Sequence, residues 1–182
     1  MIKKKIYTWQ VFVVIWGLIA FSCKEVAVTD QLNVDYKNVY KSNNTTLYSI
    51  DIDNLLKMLN TTDEAVYIVN FWATWCGPCV EELPFFEAIR TTYKHKNVHV
   101  ILVSLDAPKT IESRLIPFVE SNKIQSTVLA LDVKGNGWIS KVYEEWSGSI
   151  PFTIIFSKDK KAYYERSFNS NELKQELQKF LD

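Results

Sequence analysis

The chain has 182 residues, 47% of them apolar and 14% aromatic, which is enough to close one hydrophobic core and too little for two full domains. Lysine plus arginine number 21, as do aspartate plus glutamate, so the formal net charge is +0. No global field then draws nucleic acid or acidic substrates, and nucleic acid is not an expected partner. Three cysteines, Cys23, Cys76 and Cys79, exclude a disulfide-stapled scaffold and leave one that needs a separate explanation.

Lys3, Lys4 and Lys5 precede the apolar run 6–21, the basic and apolar regions of an export signal, so residues 1–22 read as a signal peptide. Ala20-Phe21-Ser22-Cys23 resembles a relaxed bacterial lipobox, in which Cys23 becomes the lipidated first residue of the mature chain. Ala20 and Phe21 are not the commonest residues there. An uncleaved anchor is the alternative, since the run approaches the ~20 residues that span a bilayer. Both readings place the remainder in the bacterial cell envelope, held to a membrane and outside the cytoplasm. Residues 23–46 are polar, lack a sustained period and end in Ser42-Asn43-Asn44-Thr45-Thr46, the pattern of a tether. The folded domain is expected over 47–182.

Asp51 or Asp53 can cap a short helix carrying Leu55, Leu56 and Leu59. The continuous β-branched and aromatic run Ala65 to Trp72 predicts a strand covered on both faces, and a Cys-x-x-Cys follows it directly. Val80 to Tyr93 has helical spacing with Pro84 inside it, and Val98 to Leu105 reads as a second parallel-type strand. A helix over Ile111 to Asn122, a short strand over Thr127 to Leu131 and a short amphipathic helix over Trp138 to Trp146 follow. Phe152 to Phe156 and Ala162 to Phe168 flank polar 157–161 as a hairpin, and Asn171 to Leu181 closes the chain as a helix. Parallel units followed by a hairpin and a helix predict an α/β domain with a central mixed sheet and helices on both faces.

Two cysteines separated by two residues at a helix start can close a small disulfide ring. The free N–H groups and the positive end of the helix dipole there favour the thiolate of the first. Cys76 is thus the expected nucleophile; it forms a mixed disulfide with a partner, which Cys79 resolves. Gly77 permits close approach, and Pro78 suits an early helical position. Half of a zinc site is a competing reading of the pair, but only His95 and His99 remain as soft partners and no second close pair exists, so no metal is expected. A purely structural disulfide is the other alternative; so short a ring constrains the unfolded chain little. Glu82, three residues after Cys79, shares its helical face and is the leading candidate for proton transfer; a solvated or capping carboxylate is its plainer reading. Asp106, at a strand end, is a weaker candidate.

The segment Asn70-Phe71-Trp72-Ala73-Thr74-Trp75-Cys76-Gly77-Pro78-Cys79 resembles the active-site segment of thioredoxins, particularly the exported TlpA/ResA-type branch. Glu82 and Pro84 match that branch's continuation, and Ser149-Ile150-Pro151-Phe152-Thr153 resembles the family's cis-proline loop. The likeness extends over about Leu47 to Asp182. It implies a thioredoxin fold, a cis peptide before Pro151, and a loop that packs against the disulfide. There the backbone of Ile150 can pair with an extended substrate strand. It also implies that Trp75 lies beside the site and contacts partners, whereas Trp72 packs in the core. Trp138 and Trp146 read by default as core residues, with a substrate groove as the alternative. Asn70 departs from the family: many thioredoxins carry there a buried aspartate that assists proton transfer, and an amide cannot ionise.

The expected activity is thiol–disulfide exchange, most simply the reduction of disulfides in exported proteins, with a membrane electron donor restoring the dithiol. No cofactor is expected beyond the redox-active disulfide Cys76–Cys79. Gly-Pro between the cysteines resembles the reducing thioredoxins, and relatives of this type commonly serve cytochrome c maturation. An oxidase or isomerase would use the same residues with the opposite resting state. A redox-regulated binding module is the alternative from another class. A peroxidase fits less well, because paired first-turn cysteines suit disulfide exchange better than peroxide capture.

Overall fold

The computed structural model describes residues 34–42 and 45–181; the expected signal segment and Cys23 lie outside them. Strands β1 (Asn38–Lys41) and β2 (Thr46–Ile50) form an antiparallel pair, with Tyr40 opposite Leu47. Asp51 then caps helix α1 (Ile52–Met58), its carboxylate accepting the Asn54 N–H at 2.9 Å. Strand β3 (Val66–Trp72) follows, buried at every position, and leads through a short turn into helix α2 (Gly77–Thr92).

Strand β4 (Val98–Ser104) runs parallel to β3. A π-turn over Ile111–Leu115 precedes helix α3 (Ile116–Ser121), so the single helix expected over 111–122 is irregular in its first half. Pro117 lacks the N–H that a regular helix would send back to Ser113, and the Ile116 N–H instead reaches five residues back to the Ile111 carbonyl. Strand β5 (Thr127–Leu131) is followed by α4 (Ile139–Val142), much shorter than the helix expected over 138–146. The chain turns extended at Tyr143, which lets Trp146 lie flat on Phe152, ring centroids 4.1 Å apart. Aromatic burial outweighs continuation of the helix. Strands β6 (Phe152–Phe156) and β7 (Lys161–Tyr164) form the expected hairpin, and α5 (Ser170–Gln178) closes the fold behind a capping box of Asn169 and Glu172.

The seven strands form one mixed sheet in the order β1-β2-β5-β4-β3-β6-β7. Alternation along β3 divides the core. Ile68 and Trp72 pack with Leu83, Phe86 and Ile89 of α2 and with Leu173 and Leu177 of α5. Tyr67, Val69 and Phe71 pack with Leu55 and Met58 of α1 and with Trp138 and Trp146. Each fully buried side chain of this size contributes about 1.5–3 kcal/mol through burial alone. Helices on both faces of a mixed sheet are what the sequence pattern implied.

Two boundaries also need correction. The tether assigned to 23–46 ends too late, because Asn38–Lys41 is an edge strand of the sheet; its side chains are mostly exposed and polar, so no apolar period marked it. The last strand stops at Tyr164 rather than Phe168, since Phe168 folds back into the core on the α2 side. Among the described residues no helix is long and apolar enough to cross a membrane.

Candidate active site

The turn leaving β3 is held by its neighbours in the sheet. Asp106, buried just beyond β4, accepts the Thr74 N–H at 2.9 Å, the Thr74 hydroxyl at 2.6 Å and the Ser104 hydroxyl at 2.9 Å. Both its oxygens accept from Thr74 and Ser104, so Asp106 anchors the turn. The Cys76 N–H closes the turn onto the Ala73 carbonyl at 3.1 Å.

Cys76 is the N-cap of α2, with extended backbone, and its Sγ accepts the Cys79 N–H at 3.3 Å. The two sulfurs are joined as a disulfide, with Cα atoms 5.3 Å apart. Cys76 keeps 7% of its surface and Cys79 none, so an incoming group meets Cys76 first. The first-turn N–H groups and dipole of a 16-residue helix then favour negative charge on that sulfur when the bond opens. Pro78 occupies the first turn, where no N–H is needed. A Cβ on Gly77 would meet nothing within 4 Å, so glycine is not required there by this chain's own packing; the surface is open on that side.

The proline loop and an aromatic side chain flank the pair. The Ile150–Pro151 peptide is cis, and the Ile150 carbonyl oxygen lies 3.8 Å from Cys76 Sγ. Trp75, 62% exposed, stands beside the cysteine as one of two large apolar side chains exposed among the described residues. Trp72 is fully buried, and Trp138 and Trp146 belong to the core around Phe71 rather than to a groove.

Glu82 lies one helical turn beyond Cys79 and is 1% exposed. It is neither solvated nor a cap: its Oε1 accepts from Asn70 Nδ2 at 2.9 Å and its Oε2 from the Phe168 N–H at 2.7 Å. Burial pushes its carboxyl up to about 7, opposed in part by the Phe168 and Asn70 donors and by the Arg166 charge. Asn70 Nδ2 also donates to Thr153 Oγ1 at 3.0 Å, while Asn70 Oδ1 has no partner. One polar network thus joins β3, α2, β6 and the segment ahead of α5 inside an apolar core. Asn70 within an otherwise apolar strand was its visible sign in the sequence; Thr153 and Phe168 carried none.

The structure therefore brings Trp75, Cys76, Gly77, Pro78, Cys79, Ile150 and Pro151 together at one end of the sheet, with Glu82 buried beneath them. His99 is elsewhere, stacked on Tyr67 at the opposite end of β3. Among the described residues no group of three or more His, Cys, Asp or Glu side chains could hold a metal ion.

The chain is 34% identical over 113 residues to the thiol-disulfide oxidoreductase ResA of Bacillus thuringiensis subsp. konkukian, covering 62% of this chain and 60% of that protein. It is 34% identical over 68 residues to ResA of Oceanobacillus iheyensis, covering 37% of this chain and 35% of that protein. It thus spans less than two thirds of the length of these curated relatives. A thiol:disulfide interchange protein of the thioredoxin family from Chlorobium tepidum superposes with a TM-score of 0.55 at 18% identity, covering 65% of this chain and 81% of that one. That likeness establishes a thioredoxin fold. The model of the AhpC/TSA family matches residues 51–164, from the cap of α1 through both cysteines and the proline loop to the end of β7, and the chain belongs to that family.

Proposed function

We propose that the chain is a thiol–disulfide oxidoreductase that reduces disulfides of exported proteins. The observation that carries this reading is the Cys76–Cys79 disulfide at the start of α2, its outer sulfur reachable beneath the Ile150–Pro151 loop. In the reduced chain, the Cys76 thiolate attacks one sulfur of a substrate disulfide, forming a Cys76–substrate disulfide and releasing a substrate thiolate, which takes a proton. Cys79, deprotonated, then attacks Cys76 Sγ, releasing the second substrate thiolate and restoring the internal disulfide. Two electrons pass to the substrate, and a membrane dithiol donor returns them to the pair. Glu82 supports the second step as an acceptor for the Cys79 proton, its carboxyl being tuned near neutrality. The chemistry calls for no cofactor beyond the disulfide.

The basic and apolar N-terminal segment with Cys23 supports a location outside the cytoplasm, anchored to a membrane of the cell envelope. Disulfides formed in apocytochrome c are one substrate class consistent with the resemblance to TlpA/ResA-type proteins, their reduction yielding the thiols.

Insulin-disulfide reduction tests the exchange. Cys76→Ser is expected to abolish it, and Cys79→Ser to accumulate mixed disulfides visible on non-reducing gels; normal turnover by Cys76→Ser rejects the mechanism. Redox titration against dithiothreitol sets the direction. A potential near about −270 mV supports a reductase, whereas one near about −120 mV makes the chain a disulfide donor.

A further inference from the structure

Ser147, Gly148 and Ser149 form the turn that enters the Ile150–Pro151 loop, and three donors of that turn converge on one carboxylate. The Ser147 N–H reaches Glu165 Oε2 at 3.2 Å, the Ser149 N–H reaches Oε1 at 3.1 Å, and the Ser147 hydroxyl also donates to Oε1. From the core side, Trp146 Nε1 donates to the Ser149 carbonyl at 2.8 Å. Between them Gly148 has φ +92°, and a Cβ there would come within 2.9 Å of Ile139 Cδ1, so the turn is seated closely on α4. Glu165 follows directly after β7, whose last residue, Tyr164, pairs with Thr153 of β6. The carboxylate therefore follows the end of the hairpin and grips the turn that precedes Ile150 and Pro151.

Glu165 is exposed and belongs to neither core cluster, so hydrophobic packing does not explain its engagement. Hydrogen bonds to an ionised acceptor are the stronger kind, and these donors hold the Glu165 carboxyl below the usual carboxylate range. What the grip orders is the backbone two residues ahead of the cis-proline, whose next carbonyl lies 3.8 Å from Cys76 Sγ.

We propose that Glu165 is a positioning residue for polypeptide substrates, fixing the 147–149 turn so that the Ile150 backbone stands ready to pair with an extended strand carrying the target disulfide. The proposal rests on the exchange reading above. A polypeptide gains from that backbone pairing; a small disulfide without a peptide backbone gains nothing from it. The two substrate classes should therefore respond differently to loss of the carboxylate.

The test uses the full chain with two disulfides, insulin and hydroxyethyl disulfide. Glu165→Ala is expected to raise KM for insulin about five- to tenfold at nearly constant kcat, the size of effect expected when hydrogen bonds that order a binding segment are lost. Its kcat/KM for hydroxyethyl disulfide should stay within about twofold of wild type, and the potential of the cysteine pair should not move. Glu165→Gln keeps one acceptor oxygen and should fall between. A parallel loss on both substrates, or no change on insulin, overturns the proposal. A wild-type chain that reduces hydroxyethyl disulfide but not insulin also overturns it while leaving the exchange chemistry intact, whereas inactivity on both removes the exchange reading and the proposal together.

Discussion

Glu82 is held by the Phe168 N–H and the Asn70 amide in a core that excludes water, and its carboxyl is raised from 4.5 to about 7. Over that interval the unfolded chain has already released a proton that the folded chain retains. The contribution of neutral Glu82 to stability is therefore fully present below the unfolded value and is lost as pH rises through about 7. Measured by urea denaturation, wild-type stability should fall between about pH 5 and about pH 8 by an amount on the order of a few kcal/mol. Glu82→Gln should flatten that slope. A half-turn of the Asn70 amide would let its unpartnered oxygen accept from the new amide nitrogen and from the Thr153 hydroxyl, so the variant retains a connected network. Equal slopes in the two proteins would show that this carboxyl does not titrate as described. The position of Glu82 one turn after Cys79 was legible from helical spacing, but its burial was not, because the group that covers it, the Phe168 backbone, lies 86 residues away.

At the scale of elements, β3 and α2 form one unit, and Asp106 makes the turn between them rigid. Asp106→Ala removes the acceptor for both donors of half-buried Thr74 and for the buried Ser104 hydroxyl. The expected cost is about 1–3 kcal/mol in unfolding free energy, with slower insulin reduction because the Cys76 cap loses its fixed approach to α2. A variant as stable and as active as wild type would show that the turn holds itself. The strands β3, β4, β5 and β6 were readable because continuous apolar runs between turn residues have few other solutions in a chain this size. The helix over 111–122 and the segment 138–146 were read as too regular: Pro117 redirects one, and aromatic stacking on Phe71 and Phe152 shortens the other.

For the molecule as a whole, the sheet extends beyond the domain boundary that composition marked. β1 covers the outer edge of β2, supported by Tyr36 against Tyr48 with ring centroids 4.5 Å apart. A fragment of residues 34–182 should therefore unfold at higher urea than one of residues 47–182, by about 1–3 kcal/mol for the lost cross-strand pairs. The shorter fragment exposes the free edge of β2, and it should self-associate as its concentration rises, read by light scattering. Identical midpoints would mean that β1 is dispensable and that the boundary at Leu47 was adequate.

The sequence alone determined the chemistry-bearing pair, the strand-turn-helix that carries it, and the mixed α/β class. Each of these depends on residues close together in the chain: Cys76 and Cys79 one turn apart, an apolar run before them, and a proline suited to a helix start. The tertiary structure decided what surrounds the pair. It brought Ile150 over Cys76, buried Glu82 under Asn70 and Phe168, committed Asp106 to Thr74, and set Glu165 against Ser147 and Ser149. The physical reason is one of range. Helical spacing and strand burial are written in local periodicity, whereas a hydrogen bond between distant residues exists only once sheet register and helix packing have placed donor and acceptor within about 3 Å.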